Sequence, residues 1–278
     1  MMNLEGKTVT EPADLNELCF EDKWILSKLN TVIRDVTDNM DKYELGIAVQ
    51  KVYDFLWDEL CDWYIEMAKV RLWKADKNPK AANDALWTLR TALTEGLKLL
   101  HPYMPFITEE IYCTLLPEEE SIMISDWPVF QEAWVFPEAE KAVESFKEAV
   151  RGIRNTRTEM NVPMNRKTHL YIVGKDTDTC TRYEACKKSF VNLAFAKEIH
   201  VQENKDGIGE DAVSVVVSDA VVYMPLEDLV DREKEMERLK KEQERLTKEI
   251  ARCQGMLNNP NFVNKAPEAK VNLSLIHI

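Results

Sequence analysis

From Tyr43 to about Lys74 apolar residues recur in a four-three alternation, Leu45, Val49, Val52, Leu56, Leu60, Trp63, Met67 and Val70, and no other stretch constrains the fold as much. An alternation sustained for about seven turns predicts one long helix. Phe55, Trp57, Tyr64 and Trp73 fall on its other sides, so this helix is apolar around more than one face and belongs near the middle of a bundle. Weaker runs supply its neighbours. Ile25, Leu29, Val32, Val36 and Met40 predict a helix beginning at about Asp22, and Ala85, Leu89, Leu93 and Leu100 predict another over about 81–100, ended by His101-Pro102-Tyr103-Met104-Pro105. Thr108 is placed as the cap of a short helix with Glu109 and Glu110 in its first turn. Residues 117–137, interrupted by prolines, read as a loop, so 22–160 is expected to be helical throughout.

The stretch 144–170 is a seam. Phe146, Val150 and Ile153 recur at helical spacing towards a core, while Arg151, Arg154 and Arg157 descend a neighbouring face three residues at a time. Asn161-Val162-Pro163 ends that helix. THLYIVG and AVSVVVSDAVVYMPL then favour strands, with a hairpin turning at Ser218-Asp219 and a helix over 183–197 between them. From Leu229 the pattern is heptad, through Met236, Leu239, Gln243, Leu246, Ile250, Cys253 and Leu257, before Asn258-Asn259-Pro260 turns the chain into the start of a returning helix, FVNKAPEAKVNL. The expected architecture is mainly α. It comprises a helical bundle over 1–164, a small α/β connector over 165–228, and a coiled-coil arm over 229–278 whose second helix is incomplete.

Charge narrows the possible partners. A net charge of −13 argues against general affinity for DNA or an anionic membrane, so any nucleic-acid contact must rest on local basic patches. Two exist. Between Lys141 and Leu170 seven Lys or Arg stand against three Glu, and from Arg238 to Arg252 six stand against three. Arginine binds phosphate with a planar fork and stacks on unpaired bases, which is how single-stranded loops are read. Arg151, Arg154, Arg157 and Lys167 are therefore candidate RNA contacts, with Tyr64 and Trp73 as candidate stacking residues. In the arm, Lys240, Lys241, Arg245, Lys248 and Arg252 are candidates for holding backbone phosphates. The bland alternative in each case is a solvated charged face or a core aromatic.

Other chemistry finds little support. The four His are scattered without ligand spacing, so no metal is expected; Asp58, Asp62 and Glu66 read as a solvated face. The eight glycines form no G-x-G-x-x-G array, so no cofactor is expected to bind this chain. The six Cys lack C-x-x-C spacing and Cys61 and Cys253 lie on apolar seams, which suits a reduced, cytoplasmic setting. No run reaches the length of a membrane span, and MMNLEGKTVT lacks the apolar stretch of a signal peptide.

Four segments resemble bacterial valyl-tRNA synthetase: DWYIEMAK at 62–69, HPYMPFITEEIY at 101–112, IRNTRTEMNVP at 153–163 and NNPNFVNKAPEAKV at 258–271. The second also resembles the isoleucine and leucine enzymes; the arm and its turn favour the valine enzyme. The resemblance implies a class I anticodon-binding bundle and a C-terminal coiled-coil hairpin that leans on the tRNA elbow. It implies valine tRNA as partner, with the anticodon arm facing Arg151, Arg154, Arg157 and Lys167 and the elbow facing the arm cations. It further implies a monomeric parent enzyme that attaches valine to its tRNA with ATP and Mg and hydrolyses mischarged threonine. The catalytic signatures and the editing domain of that family are absent here, and LSLIHI at 273–278 departs from its charged returning helix, so an inactive fragment is expected. The alternatives are the anticodon domain of an isoleucyl or leucyl enzyme, and a non-catalytic coiled-coil scaffold.

Overall fold

Proline or a short polar cap sets the start of four helices. In the computed structural model, which describes residues 9–163, 165–229 and 232–258, Pro79, Pro105 and Pro137 each open a helix, where a missing N–H costs nothing. Asn78 accepts from Ala81 N at 3.2 Å and Asp176 from Thr179 N at 2.7 Å. The resulting helices are α1 (Phe20–Asp41), α2 (Leu45–Asp54), α3 (Ile65–Leu72), α4 (Pro79–Leu100), α5 (Pro105–Leu115) and α6 (Pro137–Glu159), followed by β1 (Thr168–Gly174), α7 (Thr177–Leu193), β2 (Ala196–Gln202), β3 (Val213–Val216), β4 (Ala220–Met224), the single turn α8 (Leu226–Leu229) and α9 (Arg232–Leu257). The chain is mainly α with one small sheet, and it forms two compact units, Met1–Pro225 and Leu226–Ile278.

The long helix departs from its periodicity. Between α2 and α3 the residues Phe55–Tyr64 wind as a π-helix, so the rod is continuous but its turns widen in the middle. Phe55 and Leu60, five apart, are both buried, whereas Leu56 is only half-buried and Leu45 is exposed. An unbroken four-three stripe had placed Leu45 and Leu56 inward, and Cys61 on a seam; Cys61 is exposed. Thr108 is likewise inside α5 rather than capping it, its Oγ1 donating to Met104 O at 2.8 Å, and no acidic residue lies in that first turn because Pro105 starts the helix earlier.

The sheet order is β2-β1-β4-β3, with β1 parallel to β2 and antiparallel to β4. The hairpin between β3 and β4 turns at Ser218-Asp219 as its sequence predicts, closed by Val217 N donating to Ala220 O. Strand β2 was not expected, and the helix predicted over 183–197 overlaps its first two residues. Phe195 adopts φ 54° and ends the helix there, and AKEIHVQ, poor in strand formers, takes its register from β1 on a sheet edge.

Bundle and sheet share a core. Phe146 of α6 meets Phe190 of α7 edge-on at 4.6 Å and Trp63 at 6.2 Å, and all three rings are buried. Gly152 lets β3 approach α6, since a Cβ there would stand 2.5 Å from Val215 Cγ1. Glu21 of α1 accepts from Ser189 of α7 at 2.7 Å. In the second unit, Met236, Leu246 and Ile250 of α9 are exposed and Cys253 is buried. The expected returning helix and LSLIHI lie outside the described residues. Among those residues, no helix is long and apolar enough to cross a membrane.

Candidate nucleic-acid interface

The basic face of α6 is built in part into the protein. Lys147, although a cation, is buried: its Nζ bonds Glu59 at 2.6 Å and Glu144 at 3.3 Å and sits 5.0 Å over the Trp24 ring and 5.7 Å over Trp63. One turn on, Arg151 is exposed, with its guanidinium 5.3 Å from the Trp63 centroid. Arg154 is exposed too, but its Nε donates to Leu193 O at 2.9 Å, and partial burial pulls its pKa below the usual arginine value. Arg157 is buried. Its Nη2 donates to Pro163 O at 3.1 Å and Arg166 O at 2.6 Å, its Nη1 is buried without a partner, and burial together with Arg166 lowers its pKa.

Arg157 is thus corrected from a candidate contact to a clamp on the turn that leads into β1. The three-residue step that placed it beside Arg151 and Arg154 carries the helix from solvent round to the connector. Tyr64 is corrected as well: it is fully buried, its hydroxyl donating to Asp22 Oδ1 at 2.7 Å and to Ala85 O at 3.3 Å. Asp22 also receives both terminal nitrogens of Arg71, at 2.5 and 2.6 Å, and this network buries an aspartate in the bundle centre. Desolvation beside Asp22 drives the Tyr64 phenol well above its ordinary pKa, so it stays a neutral donor.

Other candidates remain open to solvent. Lys167 is exposed just before β1, and Trp73 is 75% exposed at the end of α3. Beside Trp73 the turn into α4 carries Lys74 and Lys77, both exposed, which the sequence reading passed over. The signal was present, since KVRLWKADKNPK at 69–80 has five basic residues against one acidic. A second overlooked feature is the Tyr53–Trp57 pair, stacked at 6.2 Å on the solvent side of the long helix and flanked by Asp54 and Asp58. Its acidic flanks make it a poor platform for RNA.

In the second unit, α9 presents Lys240, Lys241, Arg245, Lys248 and Arg252, all exposed. Arg245 pairs with Glu242 at 2.7 Å and Arg252 with Glu249 at 2.6 Å, each three residues back along the helix. Such exposed pairs are worth little and yield readily to a phosphate. Across Arg232–Leu257 eight basic residues face six acidic, a local reversal of the chain's charge. No cluster of three His, Cys, Asp or Glu that could hold a metal occurs among the described residues.

A helical bundle with exposed basic corners is thus followed by a helix with a basic excess, the arrangement of a domain that binds and holds rather than one that catalyses. Residues 22–172 match the anticodon-binding domain of tRNA ligase, and the chain belongs to that family. Residues 231–273 match the valyl tRNA synthetase tRNA binding arm, so the two modules follow one another. Among curated relatives, valine–tRNA ligase of Clostridium perfringens is 48% identical over 279 residues, covering 98% of this chain and 31% of that protein. Those of Clostridium tetani and Listeria monocytogenes are 48% and 38% identical, each over 98% of this chain and 30% of theirs. The chain spans about 30% of the length of the relatives it matches.

Proposed function

We propose that this chain is the tRNA-holding portion of a valine–tRNA ligase and that its partner is valine tRNA. The observation that carries the reading is the succession of an anticodon-binding bundle and an arm whose five candidate cations are all exposed. On the bundle, Arg151, the outer nitrogens of Arg154, Lys167 and the Trp73 corner serve the anticodon arm; on α9, Lys240, Lys241, Arg245, Lys248 and Arg252 serve backbone phosphates of the elbow. Valine attachment, threonine editing, and the ATP and Mg they use are assigned to the remaining length of a monomeric, cytoplasmic ligase, because the glycines here form no phosphate cradle. By itself the chain holds tRNA and charges none.

Fluorescence anisotropy of the purified chain with valine and isoleucine tRNA transcripts at two salt concentrations tests this. Tighter binding of valine tRNA that weakens with salt is expected. Equal binding of both transcripts would move the reading to a general tRNA-holding domain. No binding by a folded chain, with concentration-dependent self-association, would favour a coiled-coil scaffold instead.

A further inference from the structure

One end of the bundle is apolar where it meets solvent. Tyr43 and Phe106 are 88% and 90% exposed, and Leu45, Met104, Ile107 and Met123 are exposed beside them. Hydrogen bonds gather these residues at the same end: Tyr103 Oη donates to Leu45 O at 3.1 Å, joining the start of α5 to the start of α2. The His101 ring contacts Met123 Sδ at 2.9 Å, and Trp127 Nε1 donates to Thr37 Oγ1 at 3.0 Å, near the end of α1. A cleft of about 160 Å³ opens alongside, walled by His101, Pro102, Met123 and Trp127. Large apolar side chains gathered on one surface mark a contact site, whereas scattered ones do not.

Two further observations say what kind of contact. Tyr43 has φ 62° because it closes the end of α1, where Glu44 N donates to Asn39 O at 2.8 Å, and this cap fixes its ring in water. The rim is mainly acidic, with Asp38, Asp41, Glu44, Glu110 and Asp126 exposed against Lys42 and against Lys98, which lines the cleft and is paired with Glu95, so the surface disfavours a phosphate backbone. The motif at 101–112 places its Met104, Phe106 and Ile107 here, at the opposite end of α4 from the exposed Trp73 corner.

We infer that this end is a docking face for a folded protein domain with an apolar contact surface and a basic rim, belonging to the two thirds of the ligase length that the relatives have beyond the matched region. This rests on the ligase reading above. Those relatives carry this region in the same polypeptide as a much larger remainder, which puts such a partner at high effective concentration. Phe106, the most exposed of these side chains, is its anchor.

The test replaces the matched region of the Clostridium perfringens enzyme with this chain, with and without the pair Tyr43→Asp and Phe106→Asp, and follows calorimetric unfolding and limited proteolysis. Docking predicts one joint transition in the unsubstituted chimera, two in the substituted one, and cleavage between the domains faster by about tenfold or more. Because both positions are exposed, the substituted chain alone keeps its melting temperature and its tRNA affinity. Two transitions already in the unsubstituted chimera, or one in both, overturn the inference. So does a loss of tRNA affinity, which makes the face an RNA surface, or a dimer of the chain alone that the substitutions dissolve. A chimera that fails to charge valine tRNA counts against the ligase reading instead, and the unfolding transitions still decide the docking.

Discussion

The guanidinium of Arg151 lies 5.3 Å from the centroid of Trp63, the same ring that covers the buried ammonium of Lys147 from 5.7 Å. One indole therefore serves a structural cation on one side and a solvent-facing cation next to it. The basic stripe of α6 divides along this line, and the division can be measured. Arg157→Ala removes two bonds to main-chain carbonyls from a buried site and is expected to lower stability by about 2–3 kcal/mol, with tRNA binding altered only as far as folding is. Arg151→Ala is expected to cost about 0.5–1 kcal/mol while lowering tRNA affinity and reducing the slope of log affinity against log salt by about one. Urea titrations alongside anisotropy separate the two; equal stability losses would refute the division.

Asp22→Ala leaves the Arg71 guanidinium largely buried without its carboxylate and is expected to cost about 3–5 kcal/mol. Tyr64→Phe removes only one donor to the same aspartate and is expected to cost about 1–1.5 kcal/mol. Chemical denaturation of both variants should preserve that order.

Glu144 gives the acid limb a signature. Burial alone would raise its pKa, but Lys147 and Lys28 outweigh it and hold the carboxyl below its ordinary value. A depressed folded-state pKa contributes stability above the unfolded value of about 4.3, lost as pH falls through the lower folded one. Glu144→Gln should thus destabilise near neutrality and narrow its gap to the parent chain below about pH 4. Urea midpoints across that range are the check, and a gap independent of pH would remove Glu144 from the account.

Gly152→Ala places a methyl group against Val215 Cγ1, a branched side chain with little room to turn. A loss of about 1–3 kcal/mol is expected from the crowding, with tRNA binding by the folded protein unchanged. A thermal melt decides it.

In α9, Lys240→Ala with Lys248→Ala removes two exposed cations from a helix face. The melting temperature of the first compact unit should not change, whereas the salt slope for tRNA should fall by about two. An unchanged slope would return these lysines to the role of solubilising charge.

Much of this was legible in residue periodicity. The apolar stripes locate α1, α4 and α6, and Ser218-Asp219 marks its hairpin because two valine-rich runs flank it, whereas Pro79, Pro105 and Pro137 open helices earlier than the sequence placed them, since proline breaks a helix interior but fits its first turn. What escaped depends on partners distant in sequence. Phe55–Tyr64 scans as ordinary α-helix, and only packing against α1, α4 and the Trp24–Trp63 cage around Lys147 reveals the wider turns. Arg157 and Arg151 are chemically identical in sequence; the carbonyls of Pro163 and Arg166 make one a clamp. Tyr64 was misread for the same reason, since Asp22 is 42 residues away.

The wide turns at Phe55–Tyr64 also make the long rod a two-way bracket. Before them, α2 lies against α1 and α4; beyond them, α3 turns its side chains to α4 and α7. A uniform helix would have to choose one bearing for both ends. Here one uninterrupted backbone serves both, because the wider turns shift which residues of α3 face inward relative to the stripe that α2 sets.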